Sequence, residues 1–342
     1  MNKGLIVTEE SPLVEAQQKF AEKLSFHSLE KESVSLFEAT GRINYAAIEA
    51  PLDSPPYSRG IVEGFVVSTE ETKTASEDSP VTFTVVGKNA PGDEIPLSPG
   101  PGEAIEIVTG CIIADGNFTT IRMWEARREG DSISITRPFP PRFFIEEKGC
   151  DINKGDVILQ AGAIIDAEHI GVFASMGMQQ VDVVKRPKVS IFASGDEVVP
   201  HTEPMKPGYI FDCNSPMLAS AVTELGGIAT LRGIQSDNFD QFVNAVKTAL
   251  EESDMIVISG GTAIEGRDFI SDLVREVGEL IIDGVPMRSG RPLIMGISQQ
   301  KPIICVAGHP PEALRGFKLF GKLALNYLSG HSKALPEDTV TN

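Results

Sequence analysis

Four short segments carry the residues with which this chain could do chemistry. They are Ser194-Gly195-Asp196-Glu197, Gly233 to Asp237, Ser259-Gly260-Gly261-Thr262 followed by Glu265-Gly266-Arg267-Asp268, and Gly308-His309-Pro310-Pro311. Glycines let backbone N–H groups approach an anion closely, and a following helix N-terminus adds partial positive charge. Carboxylates in the same cleft would repel that anion. Glu197, Asp237 and Asp268 make sense beside it if a divalent cation such as Mg²⁺ stands between carboxylate and phosphate. Each segment also has a plain structural use. Gly-Asp-Glu makes a turn and a helix cap, Ser-Gly-Gly-Thr a tight turn, Asp237 and Asp268 solvated loop acids, and His309 a loop residue beside two prolines. Only their arrival at one place would separate a binding site from four turns.

The elements around these segments predict that arrival. A strand at 189–193 leads into a helix at 215–225 that opens with Pro216 and closes on Gly226-Gly227. A strand at 228–231, a helix at 239–250, a strand at 255–258 and a helix running through Leu273 and Val277 follow. Short strands at 293–295 and 303–306 precede a last helix at about 311–328. Strands alternating with helices imply a parallel sheet covered on both faces, and ligands bind such sheets outside the carboxyl ends of the strands. All four segments fall at that edge.

Upstream the texture differs. Pro12, Leu13, Ala16, Phe20 and Leu24 begin a helix, and short β-rich runs separated by Pro and Gly fill 51–140 as a small, mostly antiparallel module. The expected organisation is therefore α/β and multi-domain. Residues 1–50 and 141–184 form an α+β N-terminal domain, 51–140 an inserted β-rich domain, and 185–330 a parallel-sheet α/β domain. A polar tail at 331–342 is expected to be loose.

Composition narrows the functions. The 342 residues carry a formal charge of −18, which repels nucleic-acid phosphates and anionic lipid alike. No apolar run approaches the roughly 20 residues of a membrane-spanning helix, and the first ten residues do not read as a signal peptide. Four cysteines without a C-x-x-C pair argue against a zinc knuckle or disulfide framework and fit a reducing cytoplasm.

Read in order, these segments resemble the motifs of the molybdopterin molybdotransferases, the MoeA type to which the gephyrin E domain belongs. The match includes Tyr209-Ile210-Phe211-Asp212-Cys213-Asn214-Ser215 and Arg288-Ser289-Gly290-Arg291-Pro292. Glu63-Gly64-Phe65-Val66-Val67 looks like the family's Asp-Gly-Tyr-Ala-Val, and Ile107-Val108-Thr109-Gly110 like its Thr-Gly motif. The resemblance implies a cytoplasmic homodimer of molybdenum cofactor biosynthesis. It would bind adenylylated molybdopterin and molybdate at the strand edge, insert the molybdate and release AMP with the help of Mg²⁺. Carried over position by position, Glu197, Asp237, Asp268 and Glu63 are the catalytic candidates, with the first three as metal ligands. Thr109, Gly195, Asp196, Ser259, Gly260, Gly261, Thr262, Arg288, Arg291, Gly308 and Pro310 would bind the substrate. Other proteins of the cofactor pathway are possible partners.

The chain departs from the family pattern in five places, one of them Ala307-Gly308-His309-Pro310 where Pro-Gly-Asn-Pro is usual. Glu63 stands where Asp is usual, and two arginines replace two lysines in Arg288-Ser289-Gly290-Arg291-Pro292. A basic stretch becomes Glu146-Glu147-Lys148, and the sequence ends near 342, where relatives continue into a C-terminal β domain. These departures leave two other readings open, a pterin-binding paralogue without turnover and a nucleotide pyrophosphatase sharing the α/β domain.

Overall fold

The computed structural model describes residues 12–24, 29–205, 207–236, 238–261, 269–285 and 293–330. Residue contacts gather the chain into two compact units. One joins Ala47–Leu159 to Gly171–Gln179, and the other joins Met1–Ala46, Gln160–Ile170 and Gln180–Asn342. Residues on both sides of Lys185-Arg186-Pro187 thus fall in one unit.

The first unit is built on a six-stranded sheet. Its strands are β1 (Gly64–Ser68), β2 (Val81–Asn89), β3 (Glu103–Ile107), β4 (Phe118–Arg122), β5 (Arg127–Glu129) and β6 (Ser132–Ile135). They lie in the order β4-β1-β3-β2-β6-β5, antiparallel except for the β2–β3 pair. The outermost strands β4 and β5 are consecutive in the chain, joined only by 123–126. Such a link reaches about 17 Å, whereas six strands laid flat span about 24 Å. The sheet therefore curls until its two edges approach each other. Phe65, Val67, Phe83, Ala104, Ile121, Ile133, Ile135 and Phe139 fill the inside, so the curl encloses a packed core.

The second unit contains helix α1 (Pro12–Lys23) and a second six-stranded sheet. Its strands are β7 (Lys188–Ser194), β8 (Ile228–Gln235), β9 (Met255–Ser259), β10 (Glu279–Asp283), β11 (Ile294–Ser298) and β12 (Lys301–Val306), in the order β8-β7-β9-β12-β11-β10. Helices α2 (Asn214–Glu224), α3 (Phe239–Glu252), α4 (Phe269–Val277) and α5 (Pro310–Gly316) cover it. One core joins α1, α2 and the C-terminal helices to the sheet through Phe20, Leu218, Val222, Phe317 and Phe320. The other joins α3 and α4 to the opposite strand faces through Phe242, Val246, Ile270 and Leu273. Every residue of β9 is buried, as expected of a strand covered on both faces.

The parallel sheet expected here is present and ends in an antiparallel edge. Strands β8, β7, β9 and β12 are parallel, but β11 runs antiparallel to β12 and β10 antiparallel to β11. The cause is local. Only Gln299 and Gln300 separate β11 from β12, and both have positive φ, 50° and 66°. That is the two-residue hairpin turn whose twist matches antiparallel strands, and a two-residue link cannot make a parallel crossover. Strand β10 went unread from the sequence.

Candidate binding site at the strand ends

Three strand ends of the α/β unit meet. Ser194 closes β7, Ser259-Gly260-Gly261 leaves β9, and Gly308 follows β12. Gly260 has φ +91°, and a Cβ there would lie 2.4 Å from the Ser194 carbonyl oxygen. Gly261 has φ +69°, and its Cβ would lie 2.9 Å from Ser194 Oγ. Neither position accepts a side chain, because both the dihedral and the space require glycine. Gly260 N–H donates to the Val306 carbonyl at 3.2 Å, tying the turn to β12.

Asn214, the first residue of α2, holds the arrangement together. Its Nδ2 donates to Ser259 Oγ and to the Gly308 carbonyl, both at 2.7 Å, and the residue is buried. Asp212 Oδ1 accepts from the Ser215 N–H at 3.0 Å, which caps the start of α2 from outside. The hydroxyls of Ser194 and Ser215 remain. Both residues are at least nine-tenths buried, and among the described residues neither Oγ has a hydrogen-bond partner. Buried hydroxyls are ordinarily paired, which sets apart the Ser194 hydroxyl against the glycine turn and that of Ser215 beside Asn214.

Asp196 and Glu197 lie exposed on the loop that leaves β7. The Glu197 carbonyl accepts from Ile210 N–H at 2.9 Å, in a short parallel pair of Val198–Val199 with Ile210–Phe211. Among the described residues its carboxylate makes no ion pair. His309 and Pro310 start α5, whose first turn is closed by Ala313 N–H donating to the His309 carbonyl at 2.9 Å.

The structure thus brings Ser194, Gly195, Ser259, Gly260, Gly261 and Gly308 together, with Asp196 and Glu197 next in the chain. Thr262, Asp237, Asp268, Arg288 and Arg291 lie outside the described residues. Gly233 to Gln235, expected in a loop, belong to β8 instead. Gly233 has φ +80° and accompanies a register shift in which β8 carries one residue more than β7. Asn214, Ser194 and Ser215 were not among the expected site residues. For Asn214 and Ser215 the available signal was a polar pair two residues after Asp212 at a helix start.

Glu63 and Thr109 belong to the other unit and are exposed there, at one end of its curled sheet. Antiparallel pairing sets Gly64 opposite both Ile107 and Arg122, so the residues flanking those three share one mouth. Nearby, the acidic stretch that replaces the family's basic one is neutralised from within. Glu146 accepts from Arg59 Nε, and Glu147 accepts from Arg142 Nη2 at 2.7 Å and from Ser58 Oγ at 2.9 Å. The Arg142 guanidinium holds the Glu147 carboxyl below the usual range. Glu146, Cys150 and Asp151 do crowd together, within 4.8 Å, but the arginine already engages Glu146.

Comparison with known proteins matches the chain in two consecutive segments. Residues 11–177 match the family described as "MoeA N-terminal region (domain I and II)", and residues 190–327 match "Probable molybdopterin binding domain". A Methanocaldococcus jannaschii protein named for molybdopterin biosynthesis is 32% identical over 320 residues, 90% of this chain and 78% of the relative.

The chain belongs to the MoeA family.

A solved MoeA protein of molybdopterin biosynthesis from Pyrococcus horikoshii is 32% identical and superposes with a TM-score of 0.84 over 94% of this chain and 81% of its own. A Staphylococcus aureus relative named molybdopterin molybdenumtransferase is 27% identical, covering 95% of this chain and 78% of the relative. Within the MoeA family the strand-end cluster falls in the segment matched to molybdopterin binding, and the β mouth in the N-terminal region. Among the described residues no helix is long and apolar enough to cross a membrane.

Proposed function

We propose that this chain is a molybdopterin molybdenumtransferase, which inserts molybdate into adenylylated molybdopterin and releases AMP. The observation that carries the reading is the unpaired buried hydroxyl of Ser194 against a glycine turn that admits no side chain, with a second, that of Ser215, next in the chain to the Asn214 that holds the turn. Phosphate oxygens accept from such hydroxyls and from the backbone N–H of Gly261, while the Gly260 N–H stays on the Val306 carbonyl. Ser259, Asn214 and Gly308 keep that turn in place, and Gly195 and Asp196 shape its wall. Arg288 and Arg291 supply positive charge to an anionic substrate, and Thr262 and Pro310 complete the binding set. Glu63 and Thr109 act from the β mouth.

The donor chemistry suits Mg²⁺. Glu197, Asp237 and Asp268 offer only hard oxygen ligands, and Glu197 is not committed to a salt bridge among the described residues. These three would hold the ion, which when bound offsets the charge of the phosphates. The reading includes a cytoplasmic homodimer, to be checked by sedimentation velocity, working with other proteins of the cofactor pathway.

The deciding experiment incubates the protein with adenylylated molybdopterin, molybdate and Mg²⁺ and follows AMP. Release by the wild type, lost in Glu197→Ala and in Asp268→Ala, supports the assignment. Full turnover in both variants overturns it.

A further inference from the structure

The link that joins the two edges of the curled sheet carries the chain's single tryptophan. Trp124 is 72% exposed, an unusual setting for so large an aromatic. Its ring is nevertheless held. The Arg122 guanidinium carbon lies 4.9 Å from the Trp124 ring centroid and 4.8 Å from that of Phe144, between the two. Glu125 fixes the guanidinium with two hydrogen bonds, Nε to Oε2 at 2.8 Å and Nη2 to Oε1 at 3.0 Å, and Arg137 reaches the same carboxylate. An indole backed by a clamped cation and open to solvent is a rigid stacking surface.

Its position says what it could stack. Met123 N–H donates to the Glu63 carbonyl at 3.1 Å, so Trp124 follows directly on the mouth that Glu63 and Thr109 share. The inside of the curl is filled, so a ligand there would lie across the mouth rather than enter it. A pterin is a flat bicyclic heteroaromatic whose amino and ring N–H groups form a donor edge. An ionised carboxylate is acceptor only and matches that edge. An exposed carboxylate, an exposed hydroxyl and an open indole at one mouth meet the needs of a flat ring read along its rim.

We infer that Trp124 is a binding residue of this chain, against which the pterin ring of the substrate stacks at the mouth of the β unit. The inference rests on the pterin reading above and deepens it. Because the chain has one tryptophan, a single indole N–H resonance reports on residue 124 alone. The full-length protein, labelled with ¹⁵N, is titrated with free pterin and, separately, with AMP. The expected result is a saturable shift of the indole resonance by pterin and none by AMP. Equilibrium dialysis should show Trp124→Ala weakening pterin binding about tenfold or more, while Trp124→Phe stays within about threefold. Trp124 is exposed, so neither substitution should move the thermal midpoint much.

Three results would overturn the inference. One is a resonance indifferent to pterin up to millimolar concentration, with equal dialysis affinity for wild type and Trp124→Ala. Another is a shift caused by AMP instead. A third is concentration-dependent self-association that Trp124→Ala abolishes, which would make the patch a protein contact. AMP release separates this inference from the function it rests on. A protein that shifts with pterin but releases no AMP keeps the stacking residue and loses the transferase reading. Normal AMP release without a shift does the reverse.

Discussion

The strand ends of the α/β unit and the mouth of the β unit treat polar groups in opposite ways. Around the Ser259-Gly260-Gly261 turn, hydroxyls are buried and left without partners. In the β unit several charges beside the mouth are exposed or half-buried, yet tied off: Arg122 and Arg137 to Glu125, Arg142 to Glu147, Arg59 to Glu146. Burying an unpaired hydroxyl costs about 1–3 kcal/mol, whereas a satisfied pair at the surface costs little. Thr69, Thr119 and Thr120 of the β unit also carry buried hydroxyls without partners, so what marks Ser194 is its place against a glycine turn at the strand ends. The comparison thus separates a seat for a polar ligand from a scaffold that holds a flat surface rigid.

The comparison can be broken most severely at Gly260. Replacing it with Ala demands a positive φ of an L side chain and drives Cβ into the Ser194 carbonyl. We expect AMP release to disappear and chemical denaturation to show a loss of about 2 kcal/mol or more. Asn214→Ala comes next. It unties β9 from the Gly308 loop and takes a donor from the buried Ser259 hydroxyl, which should cost about 1–3 kcal/mol and lower AMP release at least tenfold.

Ser194→Ala and Ser215→Ala sharpen the contrast, because stability and function should move apart. Removing an orphaned hydroxyl should leave the ligand-free protein unchanged or more stable by up to about 1 kcal/mol, while phosphate-dependent affinity falls about tenfold. A loss of stability in both variants would mean that those hydroxyls serve the fold. The smallest effect lies at the β mouth. Arg122 first, and then Arg137, hold the Glu125 carboxyl down to about 2 against 4.5 when free, although burial alone would raise it. The stability this gives is complete above about pH 4.5 and is lost as the pH falls through the folded value. Glu125→Gln should therefore flatten the acid limb of a thermal melt between those limits and leave neutral pH behaviour at the strand ends alone.

Much of this organisation could be read from residue order. Pro12 with Leu13, Ala16 and Phe20 predicted α1, and unbroken apolar runs predicted β7, β9 and β12, because helical period and double-sided burial leave direct traces. The glycine turn was legible too, since few sequences other than Ser-Gly-Gly suit a backbone with two consecutive positive φ values. The hairpin at Gln299-Gln300 was not, because glutamine is a poor marker of a turn usually signalled by Asn-Gly. Nor was Gly233, whose local pattern is that of a loop although a parallel neighbour draws it into a strand. Asn214 illustrates a different gap. Its importance comes from two partners 45 and 94 residues away, and no local pattern encodes contacts at that distance.

That bulge at Gly233 has a consequence for solubility. β8 is the outermost strand of its sheet, bonded only to β7, and shows Ile228 and Leu231 to solvent. A straight strand of this kind would template the addition of a foreign chain and seed aggregates. The extra residue twists its far half out of register, and Arg232, reaching Ser190 and Glu252, sets a charge beside the twist. The same glycine that hides β8 from a sequence reader helps to keep other strands off it.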